Sequence, residues 1–137
     1  MLVRLHRWAA TDACGLVILG VLAIVRGSSY IPPLVDPSRP PTHYMEMLLS
    51  PPAWAIVWIT IGVVCLVAAF WRPLQPLAVG AVVGLHSMWA LSFIFATILG
   101  DSTRGWVSSL GYIGIAAMTL YAYGRGQARQ VTITDGR

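Results

Sequence analysis

The chain contains no lysine, and its scarcity of charge is the first guide to its class. Nine arginines and five acidic residues make up 10% of its 137 residues, whereas an average soluble domain carries about 25% charged residues. Hydrophobic residues reach 57%, and the mean hydropathy is +0.72. This composition excludes a disordered chain and a coiled coil and argues against a soluble domain. It indicates an integral membrane protein built as one domain over 1–137.

Several catalytic and metal-binding patterns are also absent. The two cysteines, Cys14 and Cys65, are too few for a disulfide framework, and neither belongs to a Cys-x-x-Cys pair. No Walker-type glycine loop, His-Glu-x-x-His or Gly-x-Ser-x-Gly sequence occurs. We therefore expect no enzymatic activity, no metal and no cofactor. The net charge of +4 is assigned to the membrane surface and not to nucleic acid.

Four charge-poor apolar stretches fit the length of a membrane-spanning helix, about 17–25 residues. They run over about 8–25, 53–71, 77–99 and 105–123. A lone strand would leave its backbone groups unpaired in lipid, so each stretch is expected to be a helix. The first is interpreted as an uncleaved anchor, because no Ala-x-Ala cleavage pattern follows it. The predicted fold is an all-α antiparallel bundle of four transmembrane helices, followed by a flexible cytoplasmic tail over 124–137.

The segment between the first two spans is long and rich in proline. It runs over 26–52 and holds seven of the nine prolines, a density that favours extended backbone. Residues 42–49 are expected to form a short surface helix whose Met45, Leu48 and Leu49 face lipid. The segment is then either a recognition surface or lid, or a stiff connector whose short helix rests on the membrane.

The distribution of arginine predicts the orientation. If the N-terminus is inside the cell, six arginines lie on the cytoplasmic side, at positions 4, 7, 72, 125, 129 and 137. Three lie outside, at positions 26, 39 and 104. Basic residues accumulate on the cytoplasmic side of membrane proteins. We therefore expect a multi-pass protein of the cytoplasmic (inner) membrane with both termini in the cytoplasm.

Two ionisable side chains fall within the predicted spans. His86 lies in the third span and Asp12 near the cytoplasmic end of the first. Ionisable residues inside a membrane are candidates for function, and these two would suit a small transporter or a redox-complex subunit in which His86 relays a proton or binds haem. The predicted spans contain no second histidine for such a haem. We therefore expect no haem, and a neutral His86 bonded to a hydroxyl or carbonyl group of a neighbouring helix.

Small residues recur at helical spacing in the last two spans. One set is Gly80, Gly84 and Ser87, and a second is Gly111 and Gly114. Because glycine has no side chain, two helices can approach each other closely in lipid where glycines face each other. We therefore expect Gly80 and Gly84 at a helix–helix contact, within the bundle or between copies. His86 lies about 200° around the helix from Gly84, and so on a different face.

The sequence GDSTRGWVS over 100–108, together with the four-span plan and the arginine-only basic set, resembles small four-span membrane proteins encoded by phages of actinobacteria. Some members of that group are thought to have holin-like roles in lysis. The resemblance implies a non-enzymatic protein that acts by assembly in the membrane. Its partners would be the lipid bilayer and either further copies or another membrane protein. No catalytic residues carry over from this group.

Overall fold

A computed structural model describes residues 12–32, 34, 40–41 and 43–134 of the chain, with side chains from Ala13 to Arg125 within those ranges. These residues form helices and turns and contain no strand, so the predicted all-helical class is confirmed. The elements in chain order are α1 (Asp12–Ser28), α2 (Tyr44–Leu48), α3 (Pro51–Phe70), a 3-10 turn (Arg72–Leu74), α4 (Gln75–Ile98) and α5 (Gly105–Thr134).

Among the described residues, two stretches of helix are long and apolar enough to cross a membrane. They are Pro51–Phe70 and Arg72–Ile98, the second combining the 3-10 turn with α4. Within the described residues, α1 contributes a shorter apolar helix over Ala13–Ser28. Residues 8–11 of the predicted first span lie outside the described residues, as do residues 33, 35–39 and 42 of the proline-rich segment.

The limits of the helices follow local signals. Pro51 and Pro52 occupy the first turn of α3, where the missing N–H of proline has no helical partner to lose. Gly100 follows α4 with a φ of +85° and donates its N–H to the Thr97 carbonyl. Glycine adopts this left-handed conformation most readily. The short turn after Gly100 leads the chain back along α4 as α5.

The tail predicted as flexible over 124–137 continues as helix to Thr134, and its flexibility stays a prediction. Extending an existing helix adds one hydrogen bond per residue and needs no new nucleus. Arginine, glutamine and alanine, which dominate 125–130, also have high helix propensity. Residues 135–137 lie outside the described residues.

The long helices pack as two tight pairs. α1 packs chiefly against α3, and α5 packs chiefly against α4, whereas α1 and α5 contact each other only slightly. Between α3 and α4, three indole rings join the pairs. Trp89 meets Trp54 and Trp58 edge to face, with ring centroids 4.4 and 5.3 Å apart. The pairs are thus held together along one side by an aromatic core.

The close approach of α1 to α3 uses glycines that the sequence analysis did not select. A Cβ added to Gly20 would lie 2.8 Å from the Gly62 carbonyl oxygen, and a Cβ added to Gly62 would lie 2.7 Å from the Gly20 carbonyl oxygen. The two backbones therefore meet where neither residue has a side chain. At the α4–α5 contact, a Cβ on Gly105 would lie 2.8 Å from the Phe93 carbonyl oxygen.

The glycines that the sequence analysis did select lie outside the packed interfaces. A Cβ on Gly80, Gly84, Gly111 or Gly114 would meet none of the described residues within 4 Å, and all four residues are exposed. Of the two predicted alternatives for Gly80 and Gly84, the described residues show no contact within the bundle, and contact between copies stays a prediction. The opposite face of α4 carries large side chains such as Trp89, and burying these gains far more contact than burying glycine.

Candidate functional site

A groove of about 370 Å³ lies between α1 and α5. These two helices belong to different pairs and contact each other only slightly. Its volume falls within the range of small-molecule sites, about 300–1,000 Å³. Trp58 of α3 and His86 of α4 form its back wall. The side walls are Leu19, Leu22, Ala23 and Arg26 on α1, and Ser108, Gly111, Tyr112 and Ile115 on α5.

The groove changes from polar to apolar along its length. Arg26 lies in the last turn of α1 and Ser108 in the first turn of α5, so both mark the same end of the groove. Leu19 and Ile115 lie seven residues further into the bundle on these helices, about 10 Å by helical rise. The groove therefore has one charged end and an apolar interior.

Arg26 brings a positive charge to this end. Its Nη2 donates a hydrogen bond to the Tyr30 hydroxyl at 3.1 Å, and its guanidinium carbon lies 5.2 Å from the centroid of the Tyr30 ring. Its Nε is buried and has no hydrogen-bond partner among the described residues. Among the residues that the structure describes, no carboxylate lies within 4.0 Å of the guanidinium. A half-buried cation beside apolar walls favours an anionic partner.

His86 lies on the face of α4 that the sequence analysis predicted, but its hydrogen-bond partner differs. Its Nδ1 donates to the Val82 carbonyl of the same helix at 2.8 Å, so the expected bond to a neighbouring helix is wrong. A carbonyl only accepts, so Nδ1 carries the proton, and Nε2 of a neutral ring is left as an acceptor. The ring packs against Trp58 and Tyr112, with centroids 5.4 and 5.8 Å apart.

Of the other residues that the sequence analysis singled out, Gly111 lines the groove, whereas Cys14 and Cys65 do not. Asp12 is the first residue of α1, and its side chain is not among those described. Cys14 and Cys65 are free thiols. Over the part of the chain that the structure describes, no group of three or more histidine, cysteine or acidic residues could hold a metal ion. The absence of haem stays a prediction.

Helix α2 docks on the bundle next to the polar end of the groove. His43 is buried, and its Nδ1 lies 3.0 Å from the Ser92 hydroxyl oxygen. The Met45 N–H donates to the same oxygen at 2.9 Å, and the Trp54 Nε1–H donates to the Met45 carbonyl at 3.0 Å. Polar contacts therefore fix α2 to both α3 and α4.

The short helix predicted over 42–49 is observed as Tyr44–Leu48, but it faces differently from the prediction. Met45 packs against the aromatic core and does not point outward, whereas Leu48 and Leu49 are exposed as expected. The polar side chains of His43 and Glu46 explain this difference. They gain hydrogen-bonding partners when they turn toward the bundle, and a buried polar group needs such a partner.

Tyr30 links the groove to α2. It receives the hydrogen bond from Arg26 and donates its own to Glu46 Oε1 at 3.0 Å. The same carboxylate oxygen lies 3.9 Å from His43 Nε2. Burial raises the pKa of Tyr30 to about 12, with Arg26 opposing and Glu46 adding to the increase. The phenol therefore stays protonated and joins Arg26 to Glu46 in one hydrogen-bonded chain.

Comparison with models of known protein families, with curated proteins and with solved structures finds no match to this chain. The kind of ligand that suits the groove is therefore inferred from the residues that line it. It combines a cation, ring faces and an apolar wall. This arrangement is suited to holding an amphiphilic molecule.

Proposed function

We propose that this chain is a membrane protein with four spanning helices that acts by assembling in the bilayer, without enzymatic chemistry. The observation that carries the proposal is the apolar exterior of the bundle. Large hydrophobic side chains are exposed on every long helix, including Ile18 and Val25 on α1, Ile56 and Val67 on α3, Leu91 and Phe95 on α4, and Leu110 and Met118 on α5. A soluble monomer rarely exposes continuous apolar surface of this extent.

The helices α3 and α4 are long and apolar enough to cross a membrane. The apolar exterior of α1 and α5 supports the proposal that these two helices also span it. Arginines mark the two ends of the bundle. Arg72 and Arg125 lie at one end, and Arg104 lies at the other with Arg26. The excess of arginine over the whole chain favours the end with Arg72 as the cytoplasmic one. Both termini are then cytoplasmic.

Assembly would use the outward glycines of α4. Gly80 and Gly84 leave a shallow depression on the exposed face of this helix, because none of the residues that the structure describes covers them. In lipid, helices associate through close packing and hydrogen bonds, and small residues allow that close packing. A second copy of the chain is the partner that this face favours. Lysis of a host cell by a holin-like assembly is the biological role that follows from the resemblance to phage proteins.

Site-directed crosslinking in membranes tests the assembly. We expect Gly84→Ile to reduce crosslinking between copies several-fold, since a β-branched side chain would hold a partner helix away. Gly15→Ile is the matched control, because Gly15 is also an exposed helical glycine with nothing within 4 Å of its Cβ position. Inducible expression with a membrane-impermeant dye reports the holin-like role. Equal crosslinking of the wild type and both variants would contradict the assembly face.

A further inference from the structure

We propose that the groove between α1 and α5 binds one anionic phospholipid, with its phosphate on Arg26 and an acyl chain along the apolar wall. The inference rests on the proposed insertion of the bundle in a membrane. It concerns a different surface from the Gly80–Gly84 face, so the two can fail separately.

Charge at one end of the groove identifies the head group. The Arg26 guanidinium is half-buried and lines the groove. Its Nη2 bonds the neutral Tyr30 phenol, which in turn bonds the Glu46 carboxylate, so no carboxylate of the described residues bonds Arg26 directly. A phosphate oxygen would accept a charge-assisted hydrogen bond from the part of the guanidinium that lines the groove. A zwitterionic head group offers the same phosphate but also a positive group, which Arg26 would repel.

The direction of the groove identifies the rest of the molecule. Arg26 lies at the outer end of α1, and the apolar wall continues from there into the bundle as far as Leu19 and Ile115. A lipid in the bilayer has the same arrangement, with its head group at the interface and its chains directed inward. Tyr112 and Trp58 present ring surfaces to this interior.

The groove is accessible from the side. Leu22 is 54% exposed, and Gly111 on the facing helix is exposed with open space where a side chain would stand. A lipid could therefore enter laterally between α1 and α5 without separating the tight helix pairs. Filling the position of Gly111 would obstruct that entry and leave the packed interfaces untouched.

The test is lipid binding by the purified full chain in neutral detergent, read by native mass spectrometry and by thermal shift. Phosphatidylglycerol, phosphatidylcholine with the same chains, a free fatty acid and inorganic phosphate are compared. We expect one phosphatidylglycerol retained per chain and little retention of the other three. Arg26→Gln and Gly111→Leu should each weaken phosphatidylglycerol binding about tenfold or more, the range expected for losing one charged hydrogen bond or the cavity that holds the chain.

Matched controls separate the site from general effects. Arg104→Gln removes an exposed arginine at the same end of the bundle, and Gly124→Leu adds leucine at an open glycine on α5, more than two helical turns beyond the last groove-lining residue, Ile115. Both should bind phosphatidylglycerol as the wild type does. Equal binding by all variants, or equal retention of phosphatidylglycerol and phosphatidylcholine, would overturn the inference, and preference for the fatty acid would overturn the phospholipid assignment. Alkaline carbonate extraction of membranes checks the proposed function separately, since a released chain would contradict insertion itself.

Discussion

The two helix pairs reach close packing with different residues. Between α1 and α3, Gly20 and Gly62 bring backbone against backbone. Between α4 and α5, the exposed glycines take no part. Instead α5 buries a row of small residues at helical spacing, Gly105, Ser109, Ala116 and Thr119. A glycine pair therefore does not by itself identify the packed face of a helix, because small residues of other kinds can define that face too.

The strongest way to break the α1–α3 pair is Gly62→Ile. The first atom of the new side chain would lie 2.7 Å from the Gly20 carbonyl oxygen, and a backbone atom yields less readily than a side chain. We expect the free energy of unfolding to fall by about 3 kcal/mol or more, the upper range for overpacking. Thermal unfolding in detergent, followed by circular dichroism, measures this change.

Gly84→Ile, in the α4–α5 pair, is the matched comparison for the effect of Gly62→Ile on stability. Gly84 faces outward, so Gly84→Ile should leave the unfolding temperature of the monomer close to that of the wild type. A loss of stability equal to that of Gly62→Ile would show that the outward glycine is packed after all. Little effect of Gly62→Ile would contradict the backbone contact between α1 and α3.

A second prediction concerns α2, which connects to both pairs. Ser92→Ala removes the hydroxyl oxygen that contacts His43 Nδ1 and accepts the Met45 N–H. Since Ser92 and His43 are buried, losing these contacts should cost about 1–3 kcal/mol. Ser87→Ala, on the same helix, is the control and should change stability little. Limited proteolysis near residue 43 should accelerate in Ser92→Ala alone, and unchanged proteolysis would argue against docking through Ser92.

The smallest expected effect tests the link from α1 to α2 through Tyr30. Its pKa is raised to about 12 from an ordinary value of 10.0, chiefly by burial. The folded chain therefore holds this proton more tightly than the unfolded chain. The resulting stability is present in full below pH 10 and declines as the pH rises through about 12. Tyr30→Phe should show a shallower fall in unfolding temperature across this range, and identical pH profiles would contradict a buried, protonated Tyr30.

Local signals allowed much of the fold to be predicted. Apolar runs gave the approximate positions of the long helices, and Pro51 and Gly100 marked limits that the structure reproduces. These signals act within a few residues of one another. The packed glycines were missed because Gly20 and Gly62 lie far apart in sequence, and their contact depends on which helices become neighbours.

The groove could not be predicted for a related reason. It exists because α1 and α5 scarcely touch, and no local pattern encodes an absent contact. Arg26 was assigned only to membrane orientation, since the first span was expected to end at Val25. The helix continues to Ser28, which places Arg26 on the same face as Leu19 and Ala23 and so in the groove. His86 was located on the correct face because helical geometry alone determines that direction.

The most direct test of the four-span arrangement is labelling of single cysteines with a membrane-impermeant maleimide in intact cells. Ser38→Cys, Thr103→Cys and Thr134→Cys are compared in a chain whose Cys14 and Cys65 are replaced by alanine. If four helices span the membrane with both termini in the cytoplasm, positions 38 and 103 react in intact cells, whereas position 134 reacts only after the membrane is permeabilised. Labelling of position 134 together with 38 in intact cells would contradict four spans, and the fully opposite pattern would reverse the orientation.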